Sequence, residues 1–217
     1  MKYVVTLMLA CAASSLVFAQ KDSIKSHLGV TIGYSRFSDF ELNSKLEQQG
    51  IPGIKQDRLV GGAYWDINPK KWHITLGISS SMYKNKKDDI TTKGRYMEGG
   101  IKVGYAVVNK RNFVLALGGN VGSGVTEVSI VQEPKPTLNL DNLLGANNNL
   151  RLNNLRVFTG PMVKGYLFPQ SSFPIFLNLG YDFTIGQYKW KADDTNITNN
   201  VNESPGNFTV SLGVQLF

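Results

Sequence analysis

The sequence predicts an all-β protein: a membrane up-and-down antiparallel β-barrel of eight strands, with short turns at one end and long loops at the other. Three observations predict it. Eight stretches alternate apolar residues with small or polar ones at period two. The connections between them alternate strictly between short and long. The weaker face carries charges and many glycines, which suit a narrow barrel interior and would be costly in a soluble core.

The chain opens on Lys2, an apolar run Tyr3–Leu9, then Ala10-Cys11-Ala12-Ala13 and Leu16-Val17-Phe18-Ala19. A charged start, an apolar middle and Val17 and Ala19 before the cut predict a secretory signal over residues 1–19. The run is short of the ~20 residues of a spanning helix. Cys11, after Met8-Leu9-Ala10, offers an alternative lipoprotein cleavage site. Cleavage after Ala19 leaves a domain over 20–217, without cysteine and with net charge +6. Stability must then come from a core or from a bilayer. A basic balance suits nucleic acid or anionic lipid, and export argues against nucleic acid.

The eight segments follow in order. In the first, Leu28, Val30, Ile32 and Tyr34 oppose Gly29, Thr31, Gly33 and Ser35. In the second, Leu59, Ala63, Trp65 and Ile67 oppose Gly62, Tyr64 and Asp66; in the third, Trp72, Ile74, Leu76 and Ile78 oppose His73, Thr75, Gly77 and Ser79. In the fourth, Met97, Ile101, Val103 and Tyr105 oppose Glu98, Gly100, Lys102 and Gly104; the fifth sets Phe113, Leu115, Leu117 and Val121 against Ala116, Gly118, Asn120 and Gly122. The sixth sets Leu155, Val157 and Val163 against Arg156, Gly160 and Lys164, and Pro161, which cannot donate to a ladder, predicts a bulge there. The seventh sets Leu177, Leu179, Tyr181 and Phe183 against Asn178, Gly180 and Asp182; the last sets Phe208, Val210, Leu212 and Leu216 against Thr209, Ser211 and Gly213.

Asn68–Lys71, Asn109–Asn112 and Phe168–Pro174 are the short connections; Phe37–Asp57, Lys84–Lys93, Gln132–Asn153 and Lys191–Gly206 are the long ones. In an outer-membrane barrel the short turns are periplasmic and the long loops external. Trp65, Trp72, Tyr105 and Phe113 beside the turns, and Tyr34, Tyr188 and Trp190 beside the loops, form two aromatic girdles. Lys70, Lys71, Lys110 and Arg111 would meet phospholipid headgroups, and Lys84, Lys86, Lys87, Lys93 and Arg95 would meet lipopolysaccharide phosphates.

On the leader, the eight segments, the loop alternation and the final strand Phe208–Phe217, the chain resembles the small OmpA/OmpX-like outer-membrane β-barrels. The resemblance implies a monomer in the bacterial outer membrane, inserted by the barrel-assembly machinery. That machinery reads an aromatic at the end of the last strand, a role the resemblance gives to Phe217. The lipid-facing series itself ends one residue earlier, at Leu216.

Three motifs with chemical potential read better as structure. His27 and His73 lie near the periplasmic strand ends, and Ser79, the first of the Ser79–Ser81 run, stands about 20 Å along the strand from His73. No nucleophile–base pair follows, so no catalytic residue is expected. Gly118–Gly124 resembles a phosphate loop, but a strand pattern follows it and no helix. No Cys/His spacing asks for a metal, and no cofactor is implied. Asn196-Ile197-Thr198 and Asn207-Phe208-Thr209 match sequons and read as loop asparagines.

Two local expectations remain. Ser38 with Glu41 reads as a capping box, with Leu42 and Leu46 on one face and Gly50 as a stop, predicting a helix over Asp39–Gln49 that packs on the barrel rim. Inside, Glu98, Lys102, Asn120, Asn178 and Asp182 are expected to form a polar plug in which Asp182 reaches Lys102. The expected function is a non-enzymatic structural or interaction barrel whose loops bind lipopolysaccharide or a surface partner, with a small pore or apolar-ligand transporter as the alternative, and a lipid-modifying enzyme behind both.

Overall fold

The computed structural model describes residues 24–69, 71–132, 149–171, 173–186, 188–192, 195–196 and 202–216. Residues 1–23, with the expected leader and Cys11, and Lys70, Phe217 and most of the third expected long loop lie outside the described residues.

The strands are β1 (Ile24–Phe37), β2 (Asp57–Pro69), β3 (Trp72–Lys87), β4 (Ile90–Lys110), β5 (Phe113–Gln132), β6 (Asn149–Leu167), β7 (Ile175–Thr184) and β8 (Asn207–Gln215). Each pairs antiparallel with the next, and β1 pairs with β8 from Gly29–Gln215 to Phe37–Asn207, so the ring closes without a free edge at membrane level. The alternation predicted from sequence sets the faces. Leu28, Val30, Ile32, Leu155 and Leu212 point out, with Ile32 at 65% and Leu59 at 75% exposure. An apolar outer surface of this extent requires lipid as its solvent. The fold is a membrane up-and-down barrel of eight strands, with short turns at one end and, at the other, long connections after β1, β5 and β7.

Three expectations are corrected. Lys84–Lys93 is not a loop: β3 runs to Lys87 and β4 starts at Ile90, with Asp88 at φ 51 in the turn. Cross-strand pairing through Thr91, Thr92 and Asn85 carries the sheet beyond the apolar belt, although the segment is charged. Pro161 makes no bulge. The register of β6 on β7 is the same at Thr159–Phe183 as at Met162–Gly180, and the proline points outward. The irregularity in the wall lies instead between Ala106 and Val108 of β4.

The third correction concerns the helix. It forms as α1 (Glu41–Gln48), inside the predicted span, but Ser38 does not cap it. The N-cap is Phe40, and the carboxylate of Glu203 accepts from the amides of Glu41 and Leu42 at 3.1 and 3.0 Å. A distant acid thus does at the positive end of the helix what a local serine would otherwise do. The Ser38 hydroxyl instead accepts from the amide of Gly206 at 2.8 Å, tying the first loop to the last.

Candidate functional site

The interior is organised in two ionic layers. In the layer nearer the short turns, the Lys164 ammonium donates to both oxygens of Asp66 at 2.8 Å and to the Thr75 hydroxyl at 2.9 Å. Tyr166 and Gln215 each donate to Asp66 at 3.1 Å. The same ammonium lies 4.1 Å from the ring centre of Phe176 and 4.8 Å from that of Tyr166. Asp66 and Lys164 are fully buried, so pairing and hydrogen bonding offset the cost of desolvating both.

In the outer layer, Arg156 is the hub. It lies 3.6 Å from Glu98 and 4.0 Å from Asp182, and it donates to the Tyr96 hydroxyl at 2.6 Å. Tyr96 in turn donates to Glu98 at 2.5 Å, and Ser79 does so at 2.9 Å. Asn120 donates to Asp182 at 2.6 Å. Glu98, Asn120, Asn178 and Asp182 therefore all face the interior, while Asn178 leaves its side-chain oxygen without a partner.

Lys102 does not pair with Asp182; among the described residues no carboxylate oxygen lies within 4.0 Å of its ammonium. Asn120 directly opposes Lys102 in the neighbouring strand and takes one oxygen of Asp182. Arg156, with a planar fork of donors, reaches Glu98, Asp182 and the Tyr96 hydroxyl from one position and takes the role expected of Lys102. Lys102 instead lines a cavity of about 90 Å³ between the two layers, with Thr75, Ser79, Asn178 and Asp182. Arg156 and Lys164 are legible as inward residues from parity, but not as the plug's main cations.

Above the outer layer the mouth is closed. Phe37, Phe40 and Leu46 from the first loop and α1, Tyr96, Val128 and Leu152 from the extended strands, and Trp190 from the last loop form one buried apolar cluster. Trp190 is wholly buried and donates to Glu203 at 2.8 Å, so it belongs to this cap and not to the aromatic girdle. Neither the girdle pattern nor the capping motif reveals Glu203, because its partners are far away in sequence. Tyr83, on the part of β3 outside the membrane, is kept protonated: burial raises its phenol pKa.

The remaining girdle residues are at the surface. Tyr34, Trp72, Tyr105 and Phe113 are exposed, and Trp65 and Tyr188 partly so. Trp72 and Tyr105 meet edge to face at 5.2 Å, and Lys71 lies 6.0 Å from the Tyr105 ring. Lys84, Lys86, Lys87, Lys93, Arg95, Lys110 and Arg111 are exposed at the two ends of the barrel. His73 is buried against Tyr166, and among the described residues neither histidine hydrogen-bonds a serine or threonine hydroxyl.

No protein-family model and no curated protein matches the sequence. Among solved structures, Neisserial surface protein A aligns at a TM-score of 0.53 and 10% identity, covering 89% of this chain and 99% of that one. A major outer membrane protein from Thermus thermophilus aligns at 0.52 and 8% identity, covering 88% and 98%. The fold is that of the small outer-membrane β-barrels. Its wall is shared with those proteins at an identity too low to carry function, so the barrel's work must be argued from its own interior and surface.

Proposed function

We propose that this is a non-enzymatic outer-membrane barrel with a closed lumen, which acts through its external surface by binding lipopolysaccharide or a surface partner. The observation that carries the reading is the double closure of the interior. Two ionic layers cross the lumen, and an apolar cap of α1 and Trp190 covers the mouth. A pore or apolar-ligand transporter would need a path through all three. Export, residence in the outer membrane as a monomer and insertion by the assembly machinery through the β8 end belong to the same reading.

Refolded protein in a planar bilayer tests it. The expected result is no steady single-channel current at moderate voltage. Stable conductance of an open channel would overturn the closed-lumen reading and favour the pore.

A further inference from the structure

The sheet that continues above the membrane has an outward face as well as a capped inward one. On that face, one rung runs Lys84, Lys93, Ser129, Arg151 across β3 to β6, and the rung below it runs Met82, Arg95, Glu127, Asn153. The next rung towards the membrane is Ser80, Met97, Val125, Leu155, where Met97 and Leu155 are exposed apolar residues of the lipid belt. Lys84, Lys93, Arg95 and Arg151 are all exposed, and among the described residues none has an acidic oxygen within 4.0 Å.

Lys84 and Lys93 stand directly opposite each other on neighbouring strands. Like charges in that arrangement disfavour the sheet, and an anion bound between them offsets that cost. The four cations fall on two adjacent rungs, on β3, β4 and β6 with Ser129 of β5 between, and so span about 14 Å across the sheet at ~4.8 Å per strand. Met82, 71% exposed, stands beside Arg95 in the lower of the two rungs. The occupant that fits is anionic at the height of Lys93 and Arg95 and apolar beside Met82 and below it, against Met97 and Leu155. A soluble acidic peptide fits only the upper half of that description.

We propose that Lys84, Lys93, Arg95 and Arg151 form a docking site for the phosphorylated headgroup of lipid A, whose acyl chains lie against Met82, Met97 and Leu155. This rests on the reading of the protein as an outer-membrane barrel and deepens it. Ser129 adds a hydroxyl between Lys93 and Arg151 on the upper rung. The site is independent of whether the lumen conducts.

The test is equilibrium binding of diphosphoryl lipid A to the refolded full-length barrel in detergent micelles. Parallel arms use dephosphorylated lipid A, phosphatidylglycerol and inorganic phosphate. Diphosphoryl lipid A is expected to bind tightest, with roughly a fivefold loss per cation removed in K84Q, K93Q, R95Q, R151Q and their combination. The control K55Q, exposed in the first loop and outside the two rungs, should bind as the parent does. Equal binding of dephosphorylated lipid A, or of phosphatidylglycerol, overturns the proposal, as does an undiminished quadruple variant. If that variant fails to fold, the lipid comparison on the parent protein still decides. A conducting barrel that binds lipid A in this way would sink the closed-lumen reading and leave this one standing.

Discussion

Arg156 and Glu98 stand on one rung of the barrel wall with only Gly124 between them, and their side chains meet at 3.6 Å across it. A Cβ on Gly124 would come within 2.7 Å of the Tyr96 hydroxyl. The glycine thus leaves room for a charge cluster that two neighbouring side chains could not otherwise form. Arg156→Met should destabilise the barrel by about 3 kcal/mol, the lower end for breaking a buried pair, because Glu98 keeps 18% exposure. Urea unfolding on phospholipid vesicles measures it; a loss under about 1 kcal/mol would mean that Arg156 is not the hub of the outer layer.

Asp66 and Lys164 give a complementary expectation. Each single replacement, Asp66→Asn or Lys164→Met, leaves a buried charge without its counterion and should cost about 3–5 kcal/mol. The double variant should cost clearly less than the sum, since removing both partners removes the unpaired charge. Strict additivity in the same unfolding assay would show that the two side chains do not depend on each other.

The wall is legible in the sequence, because period-two alternation and lipid exposure are set residue by residue. Parity alone places Asp66, Arg156 and Lys164 inside. Partner choice is not legible, since it depends on height around a closed ring and on which side chain intervenes. By height Lys102 and Asp182 should meet, and Asn120 stands in the way. The cap is half legible: the span of α1 follows from Leu42, Leu46 and Gly50, but its N-terminal partner Glu203 lies more than 160 residues away in sequence. The extension of β3 and β4 is hidden because its lysines and threonines read as loop composition, while the ladder between them supplies the order.

The Glu203 carboxylate holds α1 and Trp190 together, so it governs the cap. Glu203→Gln keeps the shape but loses the charge that the helix N-terminus favours, at a cost of about 1–2 kcal/mol. The barrel should stay folded on gels while the first loop becomes faster to cut by added protease at Lys45 or Lys55. Unchanged cleavage at both lysines would show that the cap does not depend on Glu203.

Residence in the outer membrane has a direct check. The mature protein should partition with outer-membrane fractions and migrate faster on gels before boiling than after, as a closed barrel that resists detergent does. Recovery of the protein from periplasmic extract without detergent would contradict the membrane assignment.

The most discriminating prediction concerns Arg58. Its guanidinium is 3% exposed and donates to the carbonyl of Lys55 at 3.0 Å, but its two terminal nitrogens have no hydrogen-bond partner. It is held by rings instead, 4.6 Å from the centre of Phe37, 5.2 Å from Tyr83 and 5.5 Å from Tyr96. Arg156 lies 4.8 Å from the same Phe37 ring, so one aromatic serves two cations. Arg156 has carboxylates to answer its charge, and among the described residues Arg58 has none within 4.0 Å. Cation–ring contacts supply about 2 kcal/mol in a desolvated setting, less than the several kcal/mol that burying a charge costs. Arg58→Met, which keeps most of the apolar contact and removes the charge, should therefore leave the barrel as stable or more stable, while Arg156→Met weakens it. Arg58→Ala should be destabilising, because it opens a space under Phe37 and Phe40. If Arg58→Met costs as much as Arg156→Met in the same unfolding experiment, the charge of Arg58 is being used, and an anionic partner for it must be sought under the cap.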